Sequence, residues 1–162
     1  RMSKYTNTYE ERQSVDDMAD LAMQNHLKQS NLSENVHWCK VGPDAKTNYV
    51  PLFWLVSQII LCPDYVVSTN DKLYLIEVKG TKKLKLNDYE KLREMYTKAI
   101  DLQNQIVKIE VALMYFSHPN AKPIWISFKK LEEMWNSIDK FEEYPEKDFA
   151  GKPKLYKVLP LV

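Results

Sequence analysis

A chain of 162 residues, 44% hydrophobic and 28% charged, has enough apolar material for one domain with a core and too little for two. Its net charge of +1 excludes nucleic-acid binding through a positive field over the whole surface. Two cysteines exclude a disulfide scaffold, and the longest apolar stretch, residues 50–62, falls short of the roughly 20 residues a membrane-crossing helix needs. The expectation is a cytoplasmic protein, not a membrane one, with reduced and buried thiols at Cys39 and Cys62.

The pattern over residues 8–28 predicts a helix. Val15, Met18, Ala22 and His26 share one face, Met23 and Leu27 widen it, and Thr8 with Glu11 offers a capping box. A strand is expected at 36–41, followed by a polar loop. Residues 50–61 are apolar on all sides, so their period does not separate helix from strand. Residues 64–68 and 73–79 read as a hairpin, with a polar turn between two runs rich in β-formers. A second helix is predicted over 87–104, with Asn87 as N-cap and Leu92, Met95, Tyr96, Ala99 and Leu102 at apolar spacing. Strands follow at 106–117 and 123–128, and a short helix at 129–138. An edge strand is expected within 154–162, where Pro160 suits an edge. The order implies an α/β fold: a mixed central sheet flanked by helices, in a single domain. Its core spans about residues 8–128, and the C-terminal helix and edge strand occupy 129–162.

Charge is unevenly spread. Lys79, Lys82, Lys83 and Lys85 form a basic stretch with no acid in it, and residues 132–148 are strongly acidic. A polyanion is therefore expected beside Lys79 and away from the C-terminal end.

The hairpin carries the chemistry. Side chains alternate along a strand, so Glu77 and Lys79 share a face while Ile76 and Val78 take the other. Charged groups on an otherwise apolar strand are costly unless paired or bound. Pairing about the turn brings Asp64 near Glu77. Two carboxylates that close repel each other, and a divalent cation relieves them; hard oxygen ligands suit Mg²⁺ or Mn²⁺. An ammonium at Lys79 then neutralises charge on a phosphate or helps deprotonate the attacking water. The same residues also fit a surface hairpin with a solvated Glu/Lys pair.

Pro63-Asp64 followed by Glu77-Val78-Lys79 resembles the PD-(D/E)XK nuclease superfamily, whose motif also lies on a hairpin between helices. The motif match covers residues 62–80 and the topological likeness about 8–128. The resemblance implies a restriction-endonuclease-like core of order αβββαβ. It implies Asp64, Glu77 and the Val78 carbonyl as metal ligands and Lys79 as the catalytic lysine. Family members often carry a further acid on the first helix; Asp20 and Glu11 are candidates here, and Asp16 and Asp17 are also available. Some branches place a metal-binding His on an early helix, which His26 would supply. RecB-like members carry Gln-x-x-x-Tyr on the helix after the motif. This chain has Asp88-Tyr89 and Tyr96 but no Gln at that offset, a departure from the exonuclease pattern.

Lys82, Lys83, Lys85, Lys91 and Arg93 are candidate phosphate contacts, although Lys91 also fits a solvated helix face with Glu90 and Glu94. His118 reads as a turn residue. Trp38, Trp54 and Trp125 read as core, and Trp135 as core or an interface. Three functions follow. The first is a metal-dependent DNA nuclease of the phage or mobile-element kind, whose specificity comes from DNA structure, a homodimer or a partner protein. The others are a nuclease-fold binding or assembly module without catalysis, and an RNA endonuclease of the cap-snatching type, to which His26 alone points.

Overall fold

Strand alternation and one helical crossover generate most of the architecture. The structure, a computed structural model, describes residues 9–30, 36–41, 63–102 and 108–161. Thr8, Trp54, Cys62 and the apolar stretch 50–61 lie outside the described residues. Helix α1 spans Tyr9–Ser30, and strands β1 (His37–Lys40), β2 (Tyr65–Ser68) and β3 (Lys72–Lys79) follow. Then come β4 (Lys83–Lys85), α2 (Leu86–Leu102), β5 (Lys108–Tyr115), β6 (Ile124–Ser127) and α3 (Phe128–Ser137). Strands β7 (Glu142–Lys147) and β8 (Pro153–Val158) end the order.

The main sheet has five strands in the order β1-β2-β3-β5-β6. Only β3 and β5 run parallel, and a parallel pair needs a crossover, which α2 provides. The other neighbours are antiparallel, so the sheet is mixed, as expected.

Alternation along β3 divides the apolar residues between two faces. Ile76 joins Ala22, Met23 and Leu27 of α1 with Tyr65, Met114 and Phe116. Leu75 packs on the other face against a larger cluster that holds Leu92 and Met95 of α2 and Leu131 and Trp135 of α3. Leu92 and Leu131, 1% and 0% exposed, each gain about 2 kcal/mol from burial. Ser127 caps α3 by accepting from the Lys130 N–H. At the other end of α3, the buried Lys157 donates to the Trp135 carbonyl at 2.9 Å and lies over the Trp135 and Phe141 rings. A cation there complements the helix dipole.

The C-terminal segment departs from the expected edge strand. β8 is the middle strand of a second sheet, β4-β8-β7, and Pro160 lies beyond it. A strand in this segment was expected, but its partners were not legible. β4 is a three-residue strand within the basic stretch, and β7 is mostly charged. Pro145 sits in β7, an outer strand whose register shifts between Glu143 and Lys147, where a missing N–H is tolerated. The second sheet has no separate core: Leu84, Leu159 and Leu161 belong to the cluster under α2 and α3.

Three smaller expectations also change. α2 begins at Leu86, so Asn87 lies inside its first turn and not ahead of it as the cap. Cys39 is an exposed free thiol, because β1 is an outer strand and Cys39 is on its solvent side. Trp125 is 42% exposed on the outer strand β6, against Tyr74, whereas Trp135 is a core residue stacked on Tyr89 at 4.3 Å. Among the described residues, no helix is long and apolar enough to cross a membrane.

Candidate active site

The β2–β3 register pairs Tyr65 with Ile76, so Asp64, one residue earlier, faces Glu77. Two backbone links fix it there. The Val41 N–H donates to the Asp64 carbonyl at 2.9 Å, and the Val78 N–H donates to Asp64 Oδ2 at 2.9 Å. Alternation turns Glu77 and Lys79 toward α2. Glu77, 4% exposed, meets Lys91 Nζ at 3.3 Å and Lys79 Nζ at 3.8 Å. Lys79 Nζ lies 2.7 Å from Oδ2 of Asp88, in the first turn of α2. Two carboxylates thus flank the Lys79 ammonium.

Gly80 explains how α1 approaches. A Cβ at that position would lie 2.7 Å from the Val15 carbonyl oxygen, backbone that cannot swing aside. Only the absence of a side chain lets α1 close over the end of β3, which carries Asp16 to the side of Lys79.

Three carboxyl groups crowd together here: Asp64, Glu77 and Asp88 lie beside the Lys79 and Lys91 ammoniums, and Lys85 acts on Asp88 from further off. Burial and the Asp64 charge push the Glu77 carboxyl up to about 7. Burial likewise raises Asp64, opposed by the Val78 N–H bond and by Lys79. Burial works against the Lys79 ammonium, but Asp88 and Glu77 outweigh it and hold the group above its ordinary value. Burial also works against charge on Asp88, and Lys79 outweighs it, leaving that carboxyl below the usual range. Burial raises Asp16, with Lys79 and Lys85 opposing.

A cleft of about 310 Å³ opens beside Lys79. α1 contributes Arg12, Val15 and Asp16, and the chain after β3 contributes Gly80, Thr81, Lys83 and Lys85. Asp88 and, from β7, Tyr144 and Pro145 complete the lining. The acidic C-terminal segment therefore returns to the basic stretch instead of lying away from it, and Arg12 of α1 pairs with Glu146 of β7 at 2.8 Å.

The remaining sequence candidates scatter. Asp20 binds Lys40 at 2.8 Å, Gln24 at 3.2 Å and the Tyr65 hydroxyl, on the α1 face of the sheet and away from Glu77. His26 packs edge-on against Phe116 beside an apolar hollow with Met23, Ile76 and Trp125, and burial lowers its pKa. It does not join Asp64 and Glu77. Glu11 is exposed near the start of α1. Val78 adds its N–H to Asp64, and its side chain packs toward α1. Lys83 and Lys85 line the cleft, Lys82 is exposed, and Lys91 faces inward to Glu77 instead of pairing along the helix surface. Arg93 lies over the Tyr89 ring, outside the cleft lining. His118 sits in a turn, its Nδ1 accepting from the Asn120 N–H.

Sequence reasoning missed Asp88, Arg12 and Tyr144. An acid in a helix's first turn reads as a partner of the helix dipole, which concealed Asp88. Nothing local links Tyr144 to Lys79.

Among the described residues, no three His, Cys, Asp or Glu side chains gather closely enough to hold a metal ion by themselves. Two do converge, and their chemistry fits a hard divalent cation: Mg²⁺ is commonly held by one or two carboxylates, with water and phosphate oxygens completing its shell. Comparison of the chain with protein-family models, curated proteins and solved structures gives no match to any of them.

Proposed function

We propose that the chain is a nuclease hydrolysing phosphodiester bonds, DNA before RNA, with Asp64 and Glu77 binding Mg²⁺ or Mn²⁺. One observation carries this reading: half-buried Asp64 and buried Glu77 face each other across a hairpin with Lys79 clamped beside them. Asp64 and Glu77 would hold the cation, with the Val78 carbonyl as the further ligand implied by the motif. A bound cation supplies Lewis acidity toward a phosphate oxygen and water.

The protein's own groups do the rest. Asp88 and Glu77 keep Lys79 protonated, so it acts as a fixed positive charge and not as a base. Its ammonium faces the cleft, where it would stabilise charge growing on the phosphate. Lys91 offsets part of the Glu77 charge while the cation is absent. Gly80 and α1 cover the strand end and limit water.

The test is cleavage of plasmid, linear duplex, branched and single-stranded DNA, and RNA, with Mg²⁺ or Mn²⁺. Asp64→Asn and Lys79→Ala should each lower the rate at least about 100-fold, and EDTA should abolish it. Cleavage that persists in Lys79→Ala at the wild-type rate overturns the proposal. A second reading, a nuclease-fold assembly module, draws on the absence of a third acidic ligand among the described residues. It predicts no cleavage and no Mn²⁺ binding.

A further inference from the structure

The Arg12–Glu146 ion pair ties α1 to β7, and those two elements form facing walls of the cleft beside Lys79. A space of about 310 Å³ so bridged takes a small group. A space of that size is too small to admit a duplex.

Its lining has two kinds of surface. One is aromatic: Tyr144, backed by the Tyr156 ring at a centroid distance of 4.5 Å and continued by Pro145. The backing holds the Tyr144 ring in place, so little freedom is lost when a flat group stacks on it. The other is cationic: the Lys83 and Lys85 ammoniums lie over the Tyr156 and Tyr144 rings at 5.4 and 5.7 Å. A contact as long as that of Lys85 is near the outer limit of cation–π attraction, so its ammonium can turn to a phosphate at small cost.

We infer that this cleft receives one unpaired nucleotide of a single-stranded nucleic acid, its base stacked on Tyr144 and its phosphate toward Lys79, Lys83 and Lys85. Tyr144 is then a specificity-determining residue: it selects unpaired strands, because a paired base cannot reach it past the α1–β7 bridge. A ring face accepts any base, so the selection is for strand state and not for sequence. The inference rests on the nuclease reading for the chemistry next door, but binding can be measured apart from it.

The experiment is fluorescence anisotropy with the full chain in EDTA. The probes are labelled single strands of about ten nucleotides, as DNA and as RNA, the matching duplex, and a mononucleotide. Single strands should bind at least about tenfold tighter than duplex. Tyr144→Ala should weaken them about tenfold and Tyr144→Phe should restore them, since the ring and not the hydroxyl stacks. Lys85→Ala should reduce the salt dependence. If Tyr144→Ala does not fold, Tyr144→Leu, which keeps bulk against Tyr156 without a ring, takes its place. The tighter of the DNA and RNA probes identifies the sugar. Equal or tighter duplex binding, or unchanged affinity in Tyr144→Ala, overturns the inference. Tyr144-dependent single-strand binding without cleavage in any metal would remove the nuclease reading and leave this one standing. Duplex cleavage indifferent to Tyr144→Ala would do the reverse.

Discussion

Two polar clusters flank the hairpin strands, and they differ in how their carboxyl groups are met. On the α1 face, Asp20 is matched by Lys40 and completed by Gln24 and the Tyr65 hydroxyl. On the α2 face, three carboxylates share Lys79 and Lys91. The first is a closed set of donors and acceptors that ties a helix to a sheet. The second crowds carboxyl groups in a desolvated place, where burial raises Glu77 and Asp64, and its Lys79 and Asp88 open on a cleft. A closed cluster serves folding, whereas carboxyl groups raised by burial and by each other are the kind a positive ligand would relieve.

The widest separation between the clusters should come from pH. The folded Glu77 carboxyl sits at about 7, above its ordinary 4.5, so ionising it costs the folded state about 3 kcal/mol. The Glu77 contribution is fully present below about pH 4.5 and lost as pH rises through 7. In EDTA, urea unfolding should show wild type losing stability between pH 5 and pH 8 relative to Glu77→Gln. Parallel curves for the two proteins would refute the raised Glu77 carboxyl.

A divalent cation should act next. Saturating Mn²⁺ at about 100 times its dissociation constant should add about 2.7 kcal/mol to wild type. Glu77→Gln should lose that gain and Asp20→Asn should keep it, as read by calorimetric unfolding. Loss of the gain in Asp20→Asn alone would place the cation on the wrong face.

Asp88→Asn should cost about 2 kcal/mol in chemical unfolding at neutral pH, because a charge-assisted bond to a largely buried ammonium is lost. Asp88 is held below its ordinary value, so the part of its stabilisation due to charge should fade as pH falls below about 4, the opposite direction to Glu77. The smallest effect belongs to Arg12→Ala. Its pair with Glu146 is solvent-exposed, and the unfolding midpoint should not move measurably. Single-strand preference should nonetheless relax, because the bridge across the cleft is gone.

Much of the site could be read before any coordinates. Period-two alternation assigns Glu77 and Lys79 to one face, and a hairpin turn sets Asp64 against Glu77, so local rules suffice for that trio. His26 and Asp20 show the limit. Helical period places both beside apolar residues of α1, but α1 packs on the Ile76 face of β3, away from Glu77. Which face of a sheet a helix covers is not encoded in the helix's own periodicity.

The sequence by itself determined the helices, the hairpin and the convergence of Asp64 with Glu77, because these depend on neighbours in the chain and on the fixed periods of backbone geometry. Tertiary structure alone decided that β7 returns to the basic stretch, that Asp88 clamps Lys79, and that Lys91 turns inward to Glu77. Those contacts join segments through shared burial and long-range charge, and neither leaves a periodic trace in the sequence.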